Sequence, residues 1–158
     1  LAAPLVLGDT ILLRTEPVDP RDLFRGDYVA LRYEIGRLPP EGVPGLNVDP
    51  RWYRRRRDAS QEQTVYVSLV PEADGRHWRA AGVSLTRPAE GKYIQGTYHD
   101  WGGGQITFGI ESFYVPEGTG LKSEEAQRRH RVSDEVALNG WGRAALRDLK
   151  IAPEKPPL

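Results

Sequence analysis

Pro17-Val-Asp-Pro-Arg-Asp-Leu-Phe-Arg-Gly-Asp-Tyr-Val-Ala-Leu-Arg-Tyr-Glu-Ile35 is the stretch around which the chain is organised. Its first half has the signals of a short helical turn. Asp19 caps the start, Pro20 sits where a missing N–H costs nothing, and Asp22 adds an acid to the first turn. Val18 and Leu23 are spaced for a hydrophobic staple, and Gly26 follows Arg25 as a left-handed cap. From Asp27 the pattern changes to that of a strand, with Val29, Leu31, Tyr33 and Ile35 on one face and Ala30, Arg32 and Glu34 on the other. Placing Tyr28 with Leu31 and Tyr33 requires a bulge after Gly26. The stretch therefore predicts a tight corner that fixes where a strand begins.

Outward from this corner, the remaining signals are those of strands. Thr-Ile-Leu-Leu-Arg-Thr, within Asp9 to Val18, is one β-rich run. Thr64 to Val70 alternates, with Val65, Val67 and Leu69 inward. Arg76 to Thr86 returns after Pro71-Glu-Ala-Asp-Gly75, Lys92 to Tyr98 follows a second turn, and Gln105 to Val115 reads as one further strand. Asp134 to Leu138 and Arg143 to Ile151 form a closing hairpin. Ser123, Glu124 and Glu125, with Arg128, Arg129 and Arg131 at the far end, predict one short C-terminal helix. The fold class is all-β, a mainly antiparallel sandwich or partly open barrel of about eight strands, with that helix.

With 158 residues the chain makes one domain, assigned to 9–151. Residues 1–8 read as a stub after a removed anchor or signal, and 152–158 as a proline-rich tail. Net charge is zero, which gives no global pull toward nucleic acid or anionic lipid. Cysteine is absent, so disulfides, thiol nucleophiles and thiolate metal sites are excluded.

Gly26-Asp27-Tyr28 followed by Leu31 and Tyr33 spells GDYxxLxY, and the chain resembles the GDYXXLXY family. Leu13-Arg-Thr15, Pro17-Val-Asp-Pro20, Phe113-Tyr-Val-Pro-Glu-Gly-Thr-Gly120 and the final hairpin extend the likeness over most of the chain. The resemblance implies a bacterial protein with one N-terminal membrane anchor and an extracytoplasmic domain at the periplasm or cell surface. It also implies multi-pass membrane proteins as neighbours. It supplies no activity.

The candidate chemistry is sparse. Asp27 and Glu117 are the carboxylates that a hydrolase of envelope substrates would use, though acids at turns commonly serve structure. Arg25-Gly26-Asp27 matches an adhesion tripeptide and is explained by capping and strand entry. A Ser-Lys dyad is rejected, because no serine lies between Asp19 and Arg25. His77, His99 and His130 lack metal-ligand spacing, and Gly102 to Gly104 lacks the Lys-Ser/Thr of a phosphate loop.

Gly36 to Pro50 reads as a long irregular loop, a lid or binding loop. The run Arg51-Trp-Tyr-Arg-Arg-Arg-Arg-Asp58 is basic and aromatic. Without another nucleic-acid signature it reads as a solvated face or a contact with anionic headgroups. Tyr28 and Tyr33, with Trp52, Tyr53, Trp101, Phe113 and Tyr114, are either core or a groove for sugar or peptide.

The reading that results is a non-enzymatic accessory or interaction module. Its partner is a multi-pass membrane protein or an envelope ligand; no cofactor, metal or nucleic acid is expected. The candidate binding residues are Arg25, Asp27, Tyr28 and Tyr33 at the corner, Arg54, Arg55, Arg56 and Arg57 in the basic run, and Glu117.

Overall fold

The fold is described from a computed structural model, which covers residues 9–16, 24–25, 28–46, 62–99, 104–114, 130–138 and 142–153. Ten strands account for most of them: β1 (Asp9–Arg14), β2 (Phe24–Arg25), β3 (Tyr28–Ala30), β4 (Gln63–Pro71), β5 (His77–Ser84), β6 (Lys92–His99), β7 (Gln105–Thr107), β8 (Ser112–Tyr114), β9 (His130–Leu138) and β10 (Ala144–Pro153). Seven form one curled sheet in the order β10-β9-β1-β5-β4-β6-β7, a half-barrel, and β2-β3-β8 form a small second sheet. The large sheet is mixed. β1 runs antiparallel to β9 but parallel to β5, with Leu12 opposite His77 and Leu13 opposite Trp78.

Period-two alternation explains the core. Val65, Val67 and Leu69 of β4 are buried, and so are Ile94, Gly96 and Tyr98 of β6, while the residues between them face the other side. Ile11 and Leu13 of β1, Ile106 of β7 and Val136 of β9 complete the inner surface. Over it lie Leu31, Tyr33, Ile35, Phe108 and Ile110, which join the same cluster. The loop after Gly36 also belongs to the core. Turns closed by Gly42 N–H on Pro39 and Leu46 N–H on Val43 fold it back, and Val43 and Leu46 are buried.

Curling brings distant parts of the sheet together. The Gln95 N–H of β6 donates to the Gly142 carbonyl at 2.8 Å, just before β10 begins. Gly142 has φ +77°, and a Cβ there would lie 2.5 Å from the Tyr93 ring. Only glycine fits that crossing. The edge strand β10 carries a bulge between Leu146 and Asp148, and its sequence places Lys150 and Pro153 along it. Such features discourage edge-to-edge pairing.

Several expectations are corrected. The strand expected over Asp27 to Ile35 stops at Ala30, and Glu34–Gly36 form a 3-10 turn. The inward alternation of Leu31, Tyr33 and Ile35 survives because burial holds them, together with single backbone bonds from Leu31 to Glu111 and a Thr15–Tyr33 bridge in place of a continuous ladder. At the corner, Phe24 and Arg25 are strand residues, Arg25 pairing with Tyr28, so they do not end a helical turn. Residues 17–23, Gly26 and Asp27 lie outside the described residues, as does the expected bulge.

The strand expected over Gln105 to Val115 is two strands in different sheets. Between them Gly109 takes φ +80°, and the Glu111 carboxylate accepts N–H bonds from Phe108 and Gly109. Burial pushes that carboxyl up from its ordinary value, against the pull of the N–H donors.

The C-terminal helix is not supported. His130 and Arg131, where it was to end, are in β9, in a ladder with β10 that runs from His130 to Leu138. A full ladder outweighs arginine–dipole attractions of about 0.3–1 kcal/mol each. Residues 123–129 lie outside the described residues. No helix among the described residues is long and apolar enough to cross a membrane.

Candidate functional site

Three groups of polar side chains stand out. The first lies where β1 meets the β4–β5 turn. Asp74 Oδ1 accepts the N–H groups of Arg76 and His77 at 2.8 and 2.9 Å, which closes the turn. Asp74 Oδ2 and His77 Nδ1 are 2.6 Å apart. Arg14 reaches in from β1, donating to Glu72 at 2.9 Å and to Asp74 at 3.3 Å. Glu72, Asp74 and His77 offer three metal-type ligand atoms within 4.8 Å of one another. The Arg14 guanidinium already supplies a cation to both carboxylates, and the group works as a clasp across the parallel β1–β5 pair.

The backbone N–H groups hold Asp74 well below the ordinary carboxylate range. Its folded carboxyl therefore gives up its proton more readily than the unfolded one. Its contribution to stability is complete above the ordinary value of 3.8 and is lost as pH falls through the depressed folded value. Asp74→Asn is expected to flatten that acid-side loss. Urea midpoints compared at neutral pH and below pH 3.8 measure it; an unchanged pH slope in the variant counts against the assignment.

The second group is at the corner. Glu16 follows β1, and its N–H bonds to the Arg32 carbonyl at 2.7 Å. Its carboxylate, 15% exposed, receives Arg32 Nε at 3.3 Å and the Nε of Arg37 in a second ion pair. The two guanidinium side chains remain 47% and 63% exposed. Glu16 pushes the Arg37 guanidinium up from its ordinary value. Isolated bridges Thr15–Tyr33 and Arg37–Gln105 lock the backbone on both sides. A shallow recess of about 280 Å³ lies here, bounded by these charges, Leu38 and the Gly104–Gln105 backbone.

The third group is a trough of about 410 Å³ on the outer face of β6 and β7. Gln95, Thr97 and His99 of β6 line it beside Thr107 of β7, with Glu62 and Arg143 as its charged members. His99 Nε2 lies 3.0 Å from Thr107 Oγ1, and Nδ1 lies 4.0 Å from Glu62 Oε1. Gly96, Phe108 and Ala144 border it from the core side.

The residues proposed from sequence are distributed unevenly. Tyr33 is 1% exposed, and its hydroxyl donates to the Ile110 carbonyl at 2.7 Å, so it is a core residue bracing the β7–β8 turn. Arg25 and Tyr28 are cross-strand partners, and Tyr28 pairs on its other side with Tyr114. Asp27, Arg54, Arg55, Arg56, Arg57 and Glu117 lie outside the described residues.

Sequence reasoning missed Arg14, Glu16, Arg32 and Arg37, and of the trough lining it considered His99 alone. The spacing of Glu72, Asp74 and His77 was a usable signal for the clasp. Nothing local marks Glu16 as the anchor of two arginines, because that depends on how β1 meets the corner.

No match is found among curated proteins or among solved structures. The family model described as GDYXXLXY protein matches residues 2–149, nearly the whole chain, and the protein therefore belongs to the GDYXXLXY family.

Proposed function

We propose that this domain is a non-enzymatic docking module, held at the outer side of a bacterial membrane by an anchor, that binds an acidic surface of a membrane partner. One observation carries the reading: Arg32 and Arg37 stand exposed but already oriented on the mostly buried Glu16. Arginine is enriched among the residues that dominate interface energetics. A side chain ordered before association loses less rotamer freedom on binding, a loss otherwise of about 0.5–1.5 kcal/mol per side chain. Glu34, close enough to act on Arg37, offsets the excess positive charge, so it is the two oriented guanidinium forks rather than a net field that suit carboxylates arriving from a partner. The anchor and the multi-pass neighbour are what the family resemblance implies.

The test is a mild-detergent pull-down of the full-length anchored protein from its native membranes, beside Arg32→Ser/Arg37→Ser. A stoichiometric membrane partner retained by the parent and lost by the folded double variant is the expected result. Recovery of the parent alone, or a partner that the variant keeps, removes the corner as the docking face. Screens for hydrolysis of envelope substrates, with Asp27→Asn and Glu117→Gln as variants, then become the next experiment.

A further inference from the structure

We infer that the outer-face trough on β6 and β7 is a binding site for one ring of a neutral oligosaccharide. The inference concerns a face other than the corner and does not depend on the docking partner.

Alternation along β6 puts Gln95, Thr97 and His99 on the side opposite the buried Ile94, Gly96 and Tyr98. Thr107 stands directly across from Thr97 in the β6–β7 register. One amide, one imidazole and two hydroxyls are thus set on two bonded strands, a rigid platform. Each of these groups donates and accepts, or does so in one of its tautomers. That is the chemistry of a sugar hydroxyl, which also does both.

The charges point the same way. Glu62 and Arg143 contribute one negative and one positive side chain, so the trough has no net formal charge to select an anion or a cation. Glu62 Oε1 and His99 Nδ1 are 4.0 Å apart, wider than a direct hydrogen bond. The same outer face continues to Tyr66, which sits opposite Gln95 and meets Tyr93 edge-on at 5.9 Å. Arg87 lies over the Tyr66 ring at 5.9 Å, so a neighbouring ring of a glycan would meet a guanidinium there. A volume of about 410 Å³ falls within the ~300–1,000 Å³ of small-molecule sites.

The experiment is a calorimetric titration, paired with amide-shift mapping, of the full chain. The probes are β-1,4-linked N-acetylglucosamine tetramer and maltotetraose. Saturable binding of at least one, with shifts centred on 95–99 and 105–109, is expected. Gln95→Ala/Thr97→Val removes two outward-facing hydrogen-bonding groups without touching the core. It should weaken binding about ten- to thirtyfold. Leu85→Ser, away from the trough, should leave affinity unchanged. Absence of saturable binding for both sugars overturns the inference, as does equal affinity in the double variant. A third arm uses the zwitterionic peptide Gly-Glu-Lys-Gly: if it saturates the trough and the sugars do not, the site reads peptides and the sugar assignment fails. None of these outcomes bears on the pull-down, so the two readings stand or fall separately.

Discussion

Leu13→Ala is expected to lower the unfolding free energy by about 2–5 kcal/mol. Leu13 is 0% exposed, in a strand flanked by β9 on one side and β5 on the other. A cavity there is walled by strands held in ladders on both edges, which limits collapse around the missing atoms. The cost therefore belongs in the upper part of that range. Domains of this size have stabilities of about 5–15 kcal/mol, so a large share is at stake. At about 2–4 °C per kcal/mol the melting temperature should fall by roughly 4–20 °C. Urea and thermal unfolding of the variant check it, and a loss under 1 kcal/mol shows that β1 is not a core strand.

The second large effect is expected from Gly36→Ala. Gly36 ends the 3-10 turn at the corner, and a Cβ there would lie 2.5 Å from the Ile106 carbonyl oxygen. That oxygen is backbone in β7, so no rotamer change relieves the clash. Either the turn or the short strand must move, at a cost of about 1–3 kcal/mol. Gly82→Ala is the matched control, because a Cβ at that strand position meets nothing within 4 Å. The pair is expected to separate clearly in urea midpoint. Amide shifts in the Gly36 variant should spread over 104–109, the segment that runs from the corner recess to the trough. Equal midpoints for the two variants would deny the close approach of corner and β7.

The strand pattern was legible where one face is buried and the other is wet. Val65, Val67 and Leu69 in β4 show this. Period-two alternation is a local consequence of the pleat and needs no partner to be read. The end of β3 and the break between β7 and β8 were not legible. Leu31, Tyr33 and Ile35 keep the alternation with only isolated backbone bonds, and Glu111 stops a strand by capturing N–H groups that a neighbouring strand would otherwise bond. The arginine-rich end of the expected helix misled for a related reason, since charges at a terminus favour a helix only when no ladder competes.

Of the candidate sites, the corner lies mostly outside the described residues, and the exposed chemistry described beside it belongs to residues other than those proposed. Tyr33 turned inward, while Arg32 and Arg37, read as the wet side of a strand and part of a loop, are held by Glu16 from another segment. The clasp and the trough depend on pairings between segments far apart in the chain. Neither the parallel register of Leu12 with His77 nor the crossing of Gln95 with Gly142 leaves a local trace.

The position of β1 also bears on how the protein is made. Asp9 pairs with Leu138 and Arg14 with Ser133, so β1 finds its antiparallel partner only after β2 to β8 have been made. Its parallel partner, β5, appears earlier but offers a two-residue register. Long-range and parallel pairings slow folding, because loop closure must precede their reward. Until β9 arrives, Thr-Ile-Leu-Leu presents an unpaired apolar edge of the kind that recruits other nascent chains. Expression yield should therefore respond to translation speed and to holding chaperones more than to the final stability of the sheet.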